Sequence, residues 1–220
     1  MGYLLKFYEY ISETKIDMLF DQLKKIKIDR ESLLGVNLGV VKASIKDKKE
    51  DLPLNSPIEK LSPILKKLDD EKLIGDIEQP NKFIKGRFKL KFIVNTSSTD
   101  KENDIAFWGG IFNGVTIALI GSIGSLVGAK KNIDYNHNQT FYRVSLIEAA
   151  KDNATYFRET DNMFGKTKLD DAKEAVGMWL NDFEYYDEYD LNDYDEYDFV
   201  AKVVLSDDSF ILATPLYVAT

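Results

Sequence analysis

The sequence predicts an α+β fold, in which a mixed or mostly antiparallel sheet is packed by about three helices in a single compact domain. Strand signals are unevenly spaced along the 220 residues, and clear helix starts occur at only three places. That arrangement favours α+β over a regular βαβ array. The length fits one large domain, because domains contain roughly 100–200 residues.

The first predicted elements are a strand, a helix and a second strand. Tyr3–Ile11 is rich in aromatic and aliphatic residues, which is typical of a strand. Thr14 and Asp17 have the spacing of a capping box, and the apolar residues that follow recur at helical intervals. Leu34–Ile45 is predicted as a second strand that contains two glycines.

The clearest helix start in the sequence lies at Ser56. Ser56 is a favoured N-cap residue, Pro57 takes the first helical position and Glu59 follows three residues after the cap. Pro63 is expected to kink this helix or to restart it after Ser62, because proline cannot donate a helical hydrogen bond.

The middle of the chain contains an alternating strand and then a long uncharged segment. Phe83–Val94 alternates apolar residues with Lys and Arg, which predicts a half-exposed strand with a basic outer face. Ile105–Ala129 has no charged residue in 25 positions. It could form a membrane span, an anion-binding loop at Gly121–Ser125, or two buried strands that meet at a tight glycine turn in Gly121–Ser125. The last interpretation is favoured, because six glycines and several β-branched residues make a poor helix.

The last third of the chain predicts one helix and one or two strands. Thr167 caps toward Asp170 and opens a helix with a regular apolar face. Phe199–Leu205 is compatible with helix or strand. Ser209–Ala219 is predicted as a strand that is at an edge or bulged near Pro215, since proline cannot donate to a central ladder.

The formal net charge of −8 comes from one segment. Residues 182–198 contain nine acidic residues and no Lys or Arg, and the rest of the chain has a net charge of +1. We therefore predict that residues 183–199 form an acidic, Tyr-rich surface insertion, since blocks of like charge are normally solvated or face a partner. Its tyrosines are candidate contacts to a basic protein, because tyrosine is enriched at interfaces: Tyr185, Tyr186, Tyr189, Tyr194 and Tyr197.

Composition excludes several kinds of site. The absence of cysteine excludes disulfides, thiol nucleophiles and zinc–thiolate clusters, and the single histidine, His137, excludes sites that need two. No metal site or cofactor is predicted. No basic surface points to duplex nucleic acid, and the N-terminal residues lack the features of a signal peptide, so we expect a cytoplasmic protein.

Two short segments are the candidate ligand site. The segment Ser12–Asp17 lies where a strand meets a helix, and helix N-termini favour anions. The loop Gly121–Ser125 could bind an anion through its backbone N–H groups, with Lys130 nearby. Ordinary capping and turn formation explain the same residues more simply. The candidate ligand-binding residues are Ser12, Thr14, Lys15, Asp17, Gly121, Ser122, Gly124, Ser125 and Lys130.

Three parts of the chain together resemble a bacterial family of unknown function. They are Tyr10–Leu19, the segment from Leu119 to Gly128, and Thr214–Ala219, which are similar to the family's YxSxxKxDML start, central glycine-rich segment and terminal PxYVA strand. The resemblance implies a single-domain cytoplasmic protein. It implies no activity, and it favours the soluble interpretation of Ile105–Ala129.

Three functional hypotheses follow from these features. The leading one is a ligand-binding or sensor domain for a small anionic, nucleotide-like ligand held by the two candidate segments. The second is a protein-interaction module that acts through the acidic Tyr-rich segment. The third is a hydrolase with Asp17, Lys15 or His137 in acid–base roles. The sequence does not decide whether the protein is an enzyme.

Overall fold

The strand and helix signals of the sequence assemble into an α+β structure, as predicted. The computed structural model describes residues 6–36, 56–95, 104–127, 146–147, 167–181 and 194–220. The chain divides into two compact units, one formed by Glu13–Lys72 and the other by Met1–Ser12 with Leu73–Thr220. The elements of the described residues are, in chain order, β1 Tyr8–Ile11, α1 Glu13–Val36, α2 Pro57–Asp70, β2 Ile74–Gly75, β3 Phe83–Asn95, β4 Ile105–Phe112, β5 Val115–Ser122, α3 Lys168–Asn181, β6 Tyr194–Asp207 and β7 Phe210–Ala219.

Helix α1 differs from its prediction at both ends. It begins at Glu13, so Thr14 lies inside the first turn and is not the N-cap. It continues to Val36, so Leu34–Val36 is helical where a strand was predicted. A short apolar run fits either element, and here it extends an existing helix. The rest of the predicted strand, from residue 37 onward, lies outside the described residues.

Helix α2 has the predicted start and no restart at Pro63. The Ser56 side chain accepts from Glu59 N at 3.2 Å, and Ser56 N donates to the Glu59 carboxylate at 3.1 Å, which completes a capping box. The helix runs unbroken through Pro63 to Asp70. Buried Leu61 and Ile64 lie on either side of this proline, so burial of the apolar face outweighs one missing hydrogen bond.

The sheet closes on itself through five of its seven strands. Around the ring, β7 pairs with β5, β5 with β4, β4 with β3, β3 with β6, and β6 with β7. The β5–β7 pair is parallel and the other four ring pairs are antiparallel. Strand β1 adds to β7, and β2 adds to β3. The sheet is therefore mixed, and its ring forms a small barrel, which we call the closed sheet.

The uncharged segment forms two strands, as favoured, but they turn at a different place. Strands β4 and β5 pair from Ile105↔Ser122 to Phe112↔Val115. The turn is Asn113-Gly114, with φ of 49° and 81°, and not the predicted Gly121–Ser125. Asn-Gly is the strongest short hairpin signal, because both turn positions need positive φ. A membrane helix over this segment is thus wrong for its described residues, and no helix in the described parts of the chain is long and apolar enough to cross a membrane.

Strand β7 is central, and its pairing is irregular around Pro215. On one side, β5 pairs with Phe210–Ala213 and β1 pairs with Tyr217–Ala219, so neither pairs at Pro215. On the other side, the register with β6 shifts between Val200 and Ala201, next to the proline. The predicted bulge is confirmed by this register shift, and the alternative of an edge strand is wrong, because β7 has partner strands on both of its edges.

Two layers of core lie on the two faces of this sheet. Residues that alternate along the strands, such as Leu90, Trp108 and Leu119, point into the closed sheet. Their neighbours in sequence point outward, and Phe107 and Ile120 pack in one cluster with Trp179 of α3. The Phe107 and Trp179 rings meet edge to face with centroids 5.0 Å apart. Helix α3 therefore covers one outer face of the sheet.

Candidate functional site

Two parts of the predicted ligand site, Ser12 and the Gly121–Ser125 loop, meet at the hydroxyl of Tyr10. That hydroxyl forms hydrogen bonds with the side chains of Ser125 and Ser12 and with the backbone of Ser122. Tyr10 is only 1% exposed. Burial raises the pKa of the Tyr10 phenol above its ordinary value, although these hydrogen bonds lower it. The phenol therefore stays protonated at neutral pH and acts as a neutral hydrogen-bonding group.

The space beside Gly121 is taken by the protein itself. A Cβ on Gly121 would lie 2.5 Å from three atoms of the Tyr10 side chain, Cε2, Cζ and the hydroxyl oxygen. In the loop, Ser122 Oγ accepts from Gly124 N at 3.2 Å and caps a single 3₁₀ turn over Ile123–Ser125. Glycine is thus required here for close packing of an aromatic ring. We call Tyr10, Ser12, Gly121, Ser122 and Ser125 the tyrosine clasp.

The other predicted ligand residues lie elsewhere in the chain. Thr14, Lys15 and Asp17 belong to the first turns of α1 in the helical unit. Asp17 Oδ1 is 2.6 Å from Lys60 Nζ, which forms an ion pair between α1 and α2. This carboxylate already has a cationic partner. Lys130 and His137 lie outside the described residues.

The end of the acidic Tyr-rich segment is part of the sheet and not an insertion. Its last six residues, from Tyr194 to Phe199, belong to strand β6. Tyr197 is 1% exposed and lies in the core inside the closed sheet, so it is a core residue and not a partner contact. Tyr194 is exposed. Tyr185, Tyr186 and Tyr189 lie outside the described residues.

The acidic residues of β6 lie opposite the basic residues of β3. In the antiparallel register, Lys89 is paired with Glu196 and Arg87 with Asp198. The Arg87 Nη2 atom is 2.7 Å from Glu196 Oε2. Opposite charges at facing positions stabilise a strand pair. The complementary alternation of the two segments is the sequence signal that could have predicted this pairing.

A second polar cluster lies where β1, β6 and β7 meet. The Tyr217 hydroxyl donates to Asp198 Oδ1 at 2.8 Å, and Lys6 Nζ donates to the same oxygen at 2.8 Å. Burial, together with the negative charge of Asp198, raises the pKa of Tyr217 far above its ordinary value. Tyr217 therefore cannot serve as a base or nucleophile. The cluster attaches the start of the chain to the sheet.

A crevice opens where strands β3 and β4 diverge. Their pairing runs from Asn95↔Ile105 to Lys91↔Gly109 and ends there, while the opposite edge of β3 stays paired with β6 down to Phe83. The space between the diverging strands measures about 360 Å³. A volume of a few hundred Å³ at the mouth of a closed sheet is typical of small-molecule sites. We call this space the β3–β4 crevice.

The β3–β4 crevice has an apolar interior and a charged rim. Leu90 and Ile117 form its floor, and both are fully buried. The rings of Phe88 and Phe112 form a wall, with centroids 4.7 Å apart. The rim carries three charged residues, Arg87, Lys89 and Glu196, so it has a net positive charge. Such an arrangement can hold an apolar body below an anionic group.

Alternation in the sequence predicted the basic outer face of β3, but it could not predict the crevice. The crevice exists because the pairing of β3 with β4 stops at Lys91. Strand β4 begins ten residues after β3 ends. The residues of the rim are therefore close to one another because of the strand register. The pattern of residues along the sequence does not determine that register.

Comparison with known proteins identifies the family of this chain. No match was found among curated proteins or among solved structures. The profile of a family of unknown function, DUF7019, matches residues 6–220, which include every described residue. The chain therefore belongs to this family of unknown function.

Proposed function

We propose that the protein is a ligand-binding domain for a small anion that carries an apolar body, and that the β3–β4 crevice holds this ligand. The observation that carries the proposal is the combination of an apolar cavity of about 360 Å³ with Arg87 and Lys89 at its rim. This retains the ligand class inferred from the sequence. It moves the site away from the tyrosine clasp, where Tyr10 fills the space beside Gly121.

The charges of the rim support an anionic ligand. Arg87 is paired with Glu196, but both side chains are about half exposed, at 54% and 52%. Exposed ion pairs contribute only about 0–1 kcal/mol, so Glu196 does not strongly withhold Arg87 from a second anion. Arginine also has five N–H donors, and one carboxylate contact does not use them all. Lys89 supplies a second cation on the same rim.

The aromatic wall supports an apolar body. Phe112 is 40% exposed and Ile111, next to it, is 69% exposed, which is unusual for large apolar side chains at the end of a strand. Covering this surface with a ligand would remove apolar area from water, at about 25 cal/mol per Å². The floor at Leu90 and Ile117 offers no polar side chain, so it can contribute apolar contact and the charged contacts must come from the rim.

Three ligands that differ only in their head group test the proposal. Octanoate, octanol and octylamine are titrated into ¹⁵N-labelled protein, and amide shifts are followed by two-dimensional NMR. We expect octanoate to bind most tightly and to shift the amides of Lys89, Gly110 and Ile117. Lys89→Gln should weaken octanoate binding about two- to fivefold, as expected for a rim charge of about 0.5–1 kcal/mol.

Two further variants separate charge from apolar contact. Lys82→Gln removes a cation that does not line the crevice, so it should leave octanoate binding unchanged. Phe112→Ala should weaken octanoate and octanol alike. The proposal is wrong if octylamine binds as well as octanoate, or if Lys82→Gln and Lys89→Gln have equal effects.

A further inference from the structure

A second cleft, distinct from the β3–β4 crevice, lies between helix α3 and the tips of two hairpins. It measures about 310 Å³. Helix α3 contributes Lys173, Gly177 and Leu180 to its lining. The β4–β5 and β6–β7 hairpins contribute Thr116, Ser209 and Phe210. The two hairpin tips are joined by a hydrogen bond of 2.8 Å from Thr116 N to Ser209 O, which holds the two walls in place.

Gly177 lies on the helical wall of this cleft, beside open space. It lies inside α3, where glycine is less favourable than any residue except proline. Packing does not explain the glycine, because a Cβ at this position would have no atom within 4 Å. Gly109 in the sheet is different, since a Cβ on it would lie 2.4 Å from the Phe107 ring. No neighbouring atom requires glycine at this position of the helix, and the space beside it is open. An open space of this kind is consistent with a ligand site.

The polar wall of the cleft is charge-neutral and pre-organised. Lys173 forms a short ion pair with Asp207 and also donates to Ser209 Oγ at 3.3 Å. The Ser209 hydroxyl donates to Asp207 Oδ1 at 3.1 Å, and Ser209 N donates to the same oxygen at 2.9 Å. These contacts use two of the three N–H donors of the Lys173 ammonium, so the third can be donated to a ligand.

The opposite side of the cleft is apolar. Phe210 and Leu180 form its base, and Ile111 forms its exposed border. A flat apolar ring fits between such walls, while a charged group does not suit them. Because Lys173 is ion-paired with Asp207, the two side chains together have no net charge and do not attract an anion or a cation over a neutral ligand.

We propose that this cleft binds a small uncharged molecule that has an apolar ring and one oxygen acceptor, the acceptor taking a hydrogen bond from Lys173. The proposal does not depend on the anion site in the β3–β4 crevice, because the two spaces share only Ile111. It adds a second ligand class, distinguished from the first by its charge.

Benzamide, benzoate and benzylamine are matched probes for this cleft, since they share a ring and differ in charge. Each is titrated into ¹⁵N-labelled protein, with the amide shifts of Thr116, Gly177 and Ser209 as the readout. We expect saturable shifts with benzamide at millimolar concentration, and at least fivefold weaker binding of the other two probes. The proposal is wrong if benzamide gives no saturable shift at these amides, or if benzoate binds as tightly.

Variants at Gly177 test whether the open space is the binding site. Gly177→Leu should fill the cleft and weaken benzamide binding at least tenfold, while Gly177→Ala should change it by less than threefold. Both replacements favour helix, so both variants are expected to fold, and thermal melts check this. Unchanged benzamide binding in a folded Gly177→Leu variant would place the ligand elsewhere and overturn the proposal.

Lys173→Met tests the role of the ammonium through a change in the order in which the three probes bind. Without the ammonium, the Asp207 carboxylate beside the cleft loses its cationic partner and keeps only its hydrogen bonds from Ser209. Benzamide binding should weaken at least threefold, and benzylamine should become the tightest of the three probes. The same order of the three probes in this variant and in the wild type would show that Lys173 does not contact the ligand, and the proposal would be rejected. Octanoate binding at the β3–β4 crevice should not change, so failure here is distinguishable from failure of the proposed function.

Discussion

The side chain of Tyr10 occupies the space that any side chain at position 121 would need. A Cβ on Gly121 would lie 2.5 Å from the Tyr10 ring and from its hydroxyl oxygen. The two residues belong to β1 and β5, which do not pair with each other. The contact between Tyr10 and Gly121 therefore connects strand β1, which is added at the edge of β7, to the interior of the closed sheet.

Gly121→Ala should destabilise the protein by about 1–3 kcal/mol, because overpacking a close contact forces the ring or the backbone to move. Urea unfolding measures this change. Gly124→Ala is the matched control from the same loop. Its Cβ would meet only Ser122 Oγ at 3.5 Å, an ordinary contact, so its free energy of unfolding should stay near the wild-type value. Equal effects of the two substitutions would contradict the role of Tyr10.

Tyr10→Phe should destabilise the protein by about 1–3 kcal/mol, since it leaves a buried partner of the hydroxyl without its hydrogen bond. Ser12 is the most affected partner, because it is buried. Urea unfolding again gives the value. Tyr194→Phe removes a hydroxyl from an exposed tyrosine and should have a smaller effect. A Tyr10→Phe variant as stable as Tyr194→Phe would show that the clasp is not a stabilising group.

Tyr217 should make the folded state sensitive to alkaline pH. Its pKa in the folded protein is raised above the ordinary value of 10.0. The stabilisation is therefore complete below pH 10 and is lost as the pH rises above that value, where the unfolded state ionises first. Tyr217→Phe should reduce the loss of stability between neutral pH and pH 11, measured by urea unfolding. An unchanged pH profile in this variant would contradict the prediction.

Gly114→Ala should destabilise the β4–β5 hairpin by about 1–2 kcal/mol, because alanine is strained at positive φ. Gly114 has a φ of 81°. Gly177→Ala is the matched control, and it should stabilise the protein by up to about 1 kcal/mol, since that glycine is helical and its Cβ would meet no neighbour. Thermal unfolding of the two variants should therefore shift in opposite directions, and a shift in the same direction would refute one of the two assignments.

Elements with strong local signals were predicted well. The capping groups at Ser56 and Thr167 have the expected partners, with Asp170 N donating to Thr167 Oγ1 at 3.2 Å. Alternation predicted β3 to within one residue of its end. The Asn113-Gly114 turn carries an equally clear signal, since Asn-Gly is typical of a two-residue hairpin turn. Local sequence signals therefore indicate where helices begin, where strands extend and where hairpins turn.

The candidate site was predicted less well, since its residues are brought together by distant parts of the chain. Ser12 and Ser125 do share one hydrogen-bonding partner, but the predicted ligand position beside Gly121 is filled by Tyr10. The acidic segment was predicted as an insertion because like charges repel within one segment. Its pairing with the basic strand β3, more than a hundred residues earlier, reverses that expectation for Tyr194–Phe199.

The sequence by itself determined the α+β class, the caps of α2 and α3 and the two faces of β3, because these depend on residues within one or two turns of each other. Only the tertiary structure decided the closed sheet, the central place of β7, and the positions of the β3–β4 crevice and the second cleft. Each of these depends on strand register and on where pairing stops. Register is set by the simultaneous packing of many distant side chains, so no single segment of the sequence contains it.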